Sequence, residues 1–190
     1  MRQTGAVETV EEAGMGTLEV FPLPTDEATL RSLLTEVFTD HWREIRFGPL
    51  IQGAAWEIAT SEPPRKISML DGYLTVDFGT WHFHLCIGEH RGSPGHPVAP
   101  ELARHRRTAR AELYRIVSSG APTSWAIRLR NGAGEEQITV FLPNPFLSDD
   151  MQILAEPDWS RLRLWDHVRR RYLGLESDPR DREASGFVHG

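Results

Sequence analysis

At 190 residues, with 39% hydrophobic and 25% charged residues, the chain is long enough for a self-supporting core and ordinary in composition. A formal charge of −6 argues against nucleic acid as the main partner, and no apolar run approaches the about 20 residues that a membrane-crossing helix needs. The one cysteine, Cys86, excludes an intramolecular disulfide, and the acidic N-terminal stretch lacks the apolar core of a secretory signal, so a reducing, cytoplasmic setting is expected.

Residues 1–15 and 176–190 are polar and without periodicity, and are expected as disordered tails around a single α+β domain over 16–175. A strand is expected from Thr17 to Phe21, closed by Pro22 and Pro24. Thr25 then reads as a helix N-cap with Asp26 and Glu27 in the first turn. Leu30, Leu33, Leu34, Val37, Phe38, Trp42 and Ile45 follow at helical spacing and form one apolar stripe. Strand-like runs lie at 54–59, 66–70, 72–78 and 81–87. A Gly/Pro loop over 91–100 leads into a second helix expected over about 100–118, which ends at Gly120. Two strands, Ser124–Arg130 and Glu136–Leu142, flank the turn Asn131-Gly132-Ala133-Gly134. A last helix over about 158–173 carries Trp159, Leu162, Trp165, Val168 and Tyr172 on one side and meets a C-capping glycine at Gly174. The order β-α-β-β-β-β-α-β-β-α predicts a mostly antiparallel sheet of six to seven strands, with three helices packed mainly on one face.

The stretch from Asp71 to His90 carries the chemistry. With Gly79-Thr80 as a two-residue turn, counting back along both strands pairs Phe78 with Trp81, Asp77 with His82 and Val76 with Phe83. Thr75 then meets His84, Leu74 meets Leu85, and Tyr73 meets Cys86. Side chains alternate along a strand, so one face takes all the apolar members and the other takes Tyr73, Thr75, Asp77, His82, His84 and Cys86. A slip of one residue would scramble this division, which makes the register itself an expectation.

His-X-His on a strand sets two imidazoles about 6–7 Å apart on one side, a spacing from which both converge on one ion. Asp77 would be the third ligand, or would fix the tautomer of His82 from outside the coordination sphere. Glu89 and His90 are reserve ligands, and Asp77 and Tyr73 are the candidate catalytic residues. A divalent metal, iron or zinc foremost, is the expected cofactor. His82-Phe83-His84 followed by Glu89 resembles the first metal motif of the cupin family, whose histidines and glutamate ligate a metal inside a small β-barrel. The resemblance spans about ten residues; position 76 is Val where that motif has glycine, and a helix is expected where a cupin continues with strands. The spacing is therefore read as convergent. The Arg-rich run of the second helix, with Arg107 and Arg110, is the candidate holder of an anionic group. Were it to lie over the polar hairpin face, arginines and histidines would share a site. Three functions follow: a metalloenzyme acting on a small anionic substrate, a haem or tetrapyrrole carrier with one histidine as axial ligand, and a non-catalytic module that pairs as a homodimer.

Overall fold

The computed structural model describes residues 7–51 and 53–186. In chain order these hold β1 (Glu8–Glu12), β2 (Gly16–Leu23), α1 (Glu27–Asp40), β3 (Arg46–Gly48), β4 (Leu50–Ile51), β5 (Ala54–Ala55) and β6 (Lys66–Leu70). There follow β7 (Tyr73–Asp77), β8 (His82–Cys86), β9 (Gly92–Ser93), β10 (His96–Pro97), α2 (Pro100–Arg106), β11 (Thr108–Ser118), β12 (Ala121–Asn131), β13 (Glu136–Phe141) and α3 (Arg163–Val168). The fold is α+β, with three α-helices and mostly antiparallel strands. The main sheet runs β1-β2-β11-β12-β13-β3, and a separate three-stranded sheet runs β6-β7-β8.

The chain's contacts divide into two compact units. The first comprises the residues up to Leu23, Glu112–Ile127 and Val140 onward. Its core includes Leu18, Val20, Tyr114 and Ala126, with Trp125, Leu162, Trp165 and Val168 also buried. Trp159–Leu162 form a 3₁₀ turn ahead of α3, and Arg169–Leu173 form a π turn after it, so the expected last helix is three conformations in series. Gly174 caps it in the left-handed region, with φ 69°.

The second unit comprises Pro24–Ala111 and Arg128–Thr139. Asp26, one residue after the expected cap, closes the start of α1 by accepting from the Thr29 amide at 2.9 Å. The helix buries Leu30, Leu33, Leu34, Val37 and Phe38, then ends at Asp40 with His41 as C-cap, so Trp42 and Ile45 lie beyond it. Phe38 meets Phe47 and Phe83 edge-on, with ring centroids 4.9 and 5.3 Å apart.

Two expectations are corrected by packing. The second helix stops at Arg106, and Thr108–Ser118 is a strand between β2 and β12 in the main sheet. Ala, Glu and Arg in this run favour helix, but a central strand buried on both sides takes its stability from neighbours on either face, which outweighs a weak local preference. The expected tails also carry structure. Glu8–Glu12 pairs antiparallel with β2, and Pro179–Arg182 forms a 3₁₀ turn whose Asp181 is fully buried. The first is a local hairpin, Glu12 pairing with Gly16 and Glu8 with Val20, while Asp181 is held by Arg115 and Trp125, far away in the chain, which local composition does not encode. Residues 1–6 and 187–190 of those stretches lie outside the described residues.

Candidate functional site

The site lies within the second unit, on the β6-β7-β8 sheet. The register between β7 and β8 is the expected one at every step: Asp77 with His82, Val76 with Phe83, Thr75 with His84, Leu74 with Leu85 and Tyr73 with Cys86. Beyond them the Phe78 amide donates to the Trp81 carbonyl at 3.0 Å, and Gly79 takes φ 91°, as the first position of the expected turn requires. β6 adds a third row by pairing Ile67 with Val76 and Met69 with Leu74 on the apolar side, and Lys66 with Asp77 and Ser68 with Thr75 on the polar side. Leu74 and Val76 are fully buried, whereas His82 and His84 are exposed. The hairpin therefore packs one face and presents the other.

On the presented face the two imidazoles stand edge-on with centroids 4.9 Å apart. The His84 Nδ1 and the Thr75 hydroxyl are 2.8 Å apart, which commits that nitrogen and leaves Nε2 for a ligand. Asp77 does not join the pair: its Oδ1 accepts from the Gly79 amide at 2.7 Å and serves the turn. Glu89 pairs with Arg91 at 2.6 Å instead of turning to the histidines, and that guanidinium holds its carboxyl below the ordinary range. Among the described residues no set of three or more His, Cys, Asp or Glu side chains is gathered for a metal ion.

A second cluster, one row further along the same face, is built around His90. Leu70 and Tyr73 are paired across the two-residue turn Asp71-Gly72, both with positive φ (48° and 80°). An Asp-Gly turn of this kind matches the twist of the strands it joins. Glycine is needed at 72 for a second reason: a Cβ there would stand 2.6 Å from the Glu89 carbonyl oxygen. The Gly72 carbonyl also accepts from the Ile87 and Gly88 amides at 3.0 and 2.8 Å, so the chain leaving β8 is laid against the turn. That contact delivers His90 to Asp71. The carboxylate accepts from His90 Nδ1 at 2.8 Å and from the Arg91 and Gly92 amides at 2.8 and 2.9 Å, and the amide bonds lead in holding its pKa below the usual value.

The other ring nitrogen of His90 lies 3.1 Å from Arg106, at the end of α2. A guanidinium has only donors, so Nε2 accepts and the proton sits on Nδ1, facing Asp71. Tyr73 stands edge-on to His90 at 5.0 Å and hydrogen-bonds Cys86 and Arg106, while burial pushes its hydroxyl pKa up. Cys86 is buried, and burial raises its thiol as well, outweighing the favourable fields of Arg107 and Arg106. The Thr108 hydroxyl has two acceptors within reach of its single proton, Gln137 Oε1 at 2.7 Å and the Cys86 carbonyl at 3.1 Å. A cleft of about 550 Å³ opens beside Arg104, His105, Arg107 and Thr108. Arg107 thus lines a cleft, while Arg110 is exposed on β11.

Of the residues singled out in the sequence, Tyr73 and His90 come together, as do His82 and His84; Asp77 and Glu89 are turned away to the Gly79 amide and to Arg91. The basic end of α2 does reach the polar end of the hairpin, through Arg106. Missed were Asp71 and Arg106. Asp-Gly between two strand-like runs was a readable hairpin signal, whereas nothing local marks Arg106 out from its neighbours. Residues 7–174 match the model of a family of unknown function, DUF7676, and the chain belongs to that family. A comparison with curated proteins finds no match.

Proposed function

We propose that the chain binds a small carboxylate- or phosphate-bearing molecule at the His90 cluster, with Arg106 as the anion's partner and the Asp71–His90 pair exchanging a proton with it. The observation that carries this is the contact between the Arg106 guanidinium and His90 Nε2. A guanidinium bound to a neutral ring nitrogen is poorly matched, because its charge-assisted bonds to an anionic oxygen are about twice as strong as neutral ones. An arriving anion would draw Arg106 away and leave Nε2 as a free base whose other nitrogen is already oriented by Asp71. Arg104 and Arg107 beside the cleft add positive potential. We infer a reducing, cytoplasmic setting from the lone buried thiol and the lack, among the described residues, of a helix long and apolar enough to cross a membrane.

The test is a titration of the protein with succinate and with inorganic phosphate, followed by the ring nitrogen resonances of the histidines. One of these anions is expected to shift the His90 Nε2 signal, and Arg106→Gln is expected to abolish the shift. His90 resonances that ignore both anions while the protein stays folded would overturn the proposal.

A second reading rests on the imidazoles of His82 and His84, 4.9 Å apart and exposed. Here the pair binds a divalent transition metal through two nitrogens, with the remaining positions open to water or to an anionic ligand. Zinc titration monitored on the same resonances distinguishes the two: zinc would move His82 and His84 and leave His90 in place. His82→Ala would remove the response. A Soret band on adding haem, lost in His84→Ala, would instead favour a tetrapyrrole carrier. If anions, zinc and haem all leave the protein unchanged, a homodimerising module is the remaining reading, and light scattering gives its mass.

A further inference from the structure

The first unit contains a second polar centre that none of these functions uses. Asp181 is 0% exposed, yet four donors converge on its carboxylate. Oδ1 accepts from Arg115 at 2.7 Å and from the Trp125 indole at 2.8 Å; Oδ2 accepts from the Trp165 indole at 2.8 Å and faces an Arg169 amine at 3.4 Å. The Phe21 ring lies under both guanidiniums, 5.4 Å from that of Arg115 and 5.0 Å from that of Arg169. Glu19 and Asp178 also pair with Arg115, at 2.7 and 2.9 Å. The Arg169 Nε is buried with no hydrogen-bond partner. Two indole donors and two cations in an aromatic box form a complete receptor for one carboxylate, and such donors left without an acceptor are costly.

Receptor and occupant come from different parts of the chain. Phe21, Arg115, Trp125, Trp165 and Arg169 all lie within the stretch that matches the family model, which ends at Gly174. Asp181 lies beyond it, on the 3₁₀ turn Pro179–Arg182. Besides Asp181, the turn is anchored by its cap residue Asp178, which pairs with Arg115 at 2.9 Å, and by a long contact from Arg180 to the Gly120 carbonyl at 3.3 Å. Between 175 and 186 the one buried apolar side chain is Ala184. The outlying ion pairs, Arg180 with Glu19 and Arg182 with Asp166, join guanidiniums that are 37% and 33% exposed to carboxylates that are 9% and 12% exposed, so solvent reaches one side of each pair.

We propose that Arg115, Arg169, Trp125 and Trp165 form a carboxylate-binding pocket, and that residues 175–186 are a releasable strap whose Asp181 occupies it in cis, in competition with an aspartate-bearing peptide offered in trans. The pocket reads a carboxylate by charge and by two indole N–H groups, so an amide in its place would meet opposing donors. Opening the strap exposes the receptor without unfolding the strands that build it.

The experiment uses the full chain. In wild-type protein, hydrogen exchange over 175–186 should be faster than over β11 and β12, and Asp181→Ala should accelerate it by about tenfold or more while β11 and β12 hold. The variant should then gain a melting-temperature rise and a tryptophan fluorescence change with sodium acetate that sodium chloride at equal ionic strength does not produce. A synthetic peptide of residues 176–186 should bind it, and the same peptide with Asp181→Asn should not. If Asp181→Ala does not fold, the wild-type exchange decides alone: a strap that exchanges only together with β11 and β12 is part of the core, and the proposal falls. A folded variant that responds to neither acetate nor peptide overturns it equally.

Discussion

The two faces of the β7–β8 hairpin should differ sharply in what a truncation costs. Leu74 is fully buried and packs on the apolar side, with Leu85 opposite it and Met69 beyond. Leu74→Ala deletes three buried carbons and leaves a cavity, for which about 2–5 kcal/mol is the established range. In a chain of this size that corresponds to a fall in Tm on the order of 10 °C. His84, one row along in the neighbouring strand and on the opposite face, is exposed and has one side-chain bond, to Thr75. His84→Ala should therefore stay within about 1 kcal/mol of wild type. Because the chain forms two compact units, a single global melt can blend two transitions, so hydrogen exchange at the β7 and β8 amides is the better local measure. Protection there should collapse in Leu74→Ala and persist in His84→Ala. Equal losses in the two variants would mean that the histidine face is packed, and both readings of the site would lose their premise.

Gly72→Ala should destabilise the protein and disturb His90 together, since the position has φ 80° and an added Cβ would press on the Glu89 carbonyl; an unchanged His90 ring resonance in this variant would refute the turn's part in orienting it. Acid should weaken the fold in a defined window. The folded-state values of Glu19, Asp71 and Asp178 lie below the ordinary 4.5, 3.8 and 3.8, so the stability they contribute is present above those values. It is lost as pH falls through the lower folded ones, and denaturation midpoints measured from pH 6 down to pH 2 should trace that slope. Cys86 should react slowly with a thiol reagent at neutral pH, because burial both shields it and raises its pKa; reaction as fast as that of a free thiol would contradict its position beneath Tyr73.

How much of this was legible depended on whether the information was local. The β7–β8 register could be counted from one turn because alternation is strict and a slip would bury histidines, so a short stretch carries its own consistency check. The stripe on α1 was equally plain from Leu30 to Phe38, with its cap displaced from Thr25 to Asp26 and its expected extension to Trp42 and Ile45 cut off at Asp40. β11 was illegible for the opposite reason: its Ala, Glu and Arg residues suit a helix, and only the neighbours on both sides of the main sheet make it a strand. The same limit governs the sites. His-X-His announced itself by spacing, but spacing says nothing of where a carboxylate turns, and Asp77 was claimed by the Gly79 amide two residues away. The His90 cluster and the Asp181 pocket are assembled from side chains 16–19 and 12–66 residues apart, respectively. In both, what joins the groups is a proton donor meeting an acceptor, partly exposed at His90 and fully buried at Asp181, a preference that has no period along the chain and acts only after the strands have brought the partners together.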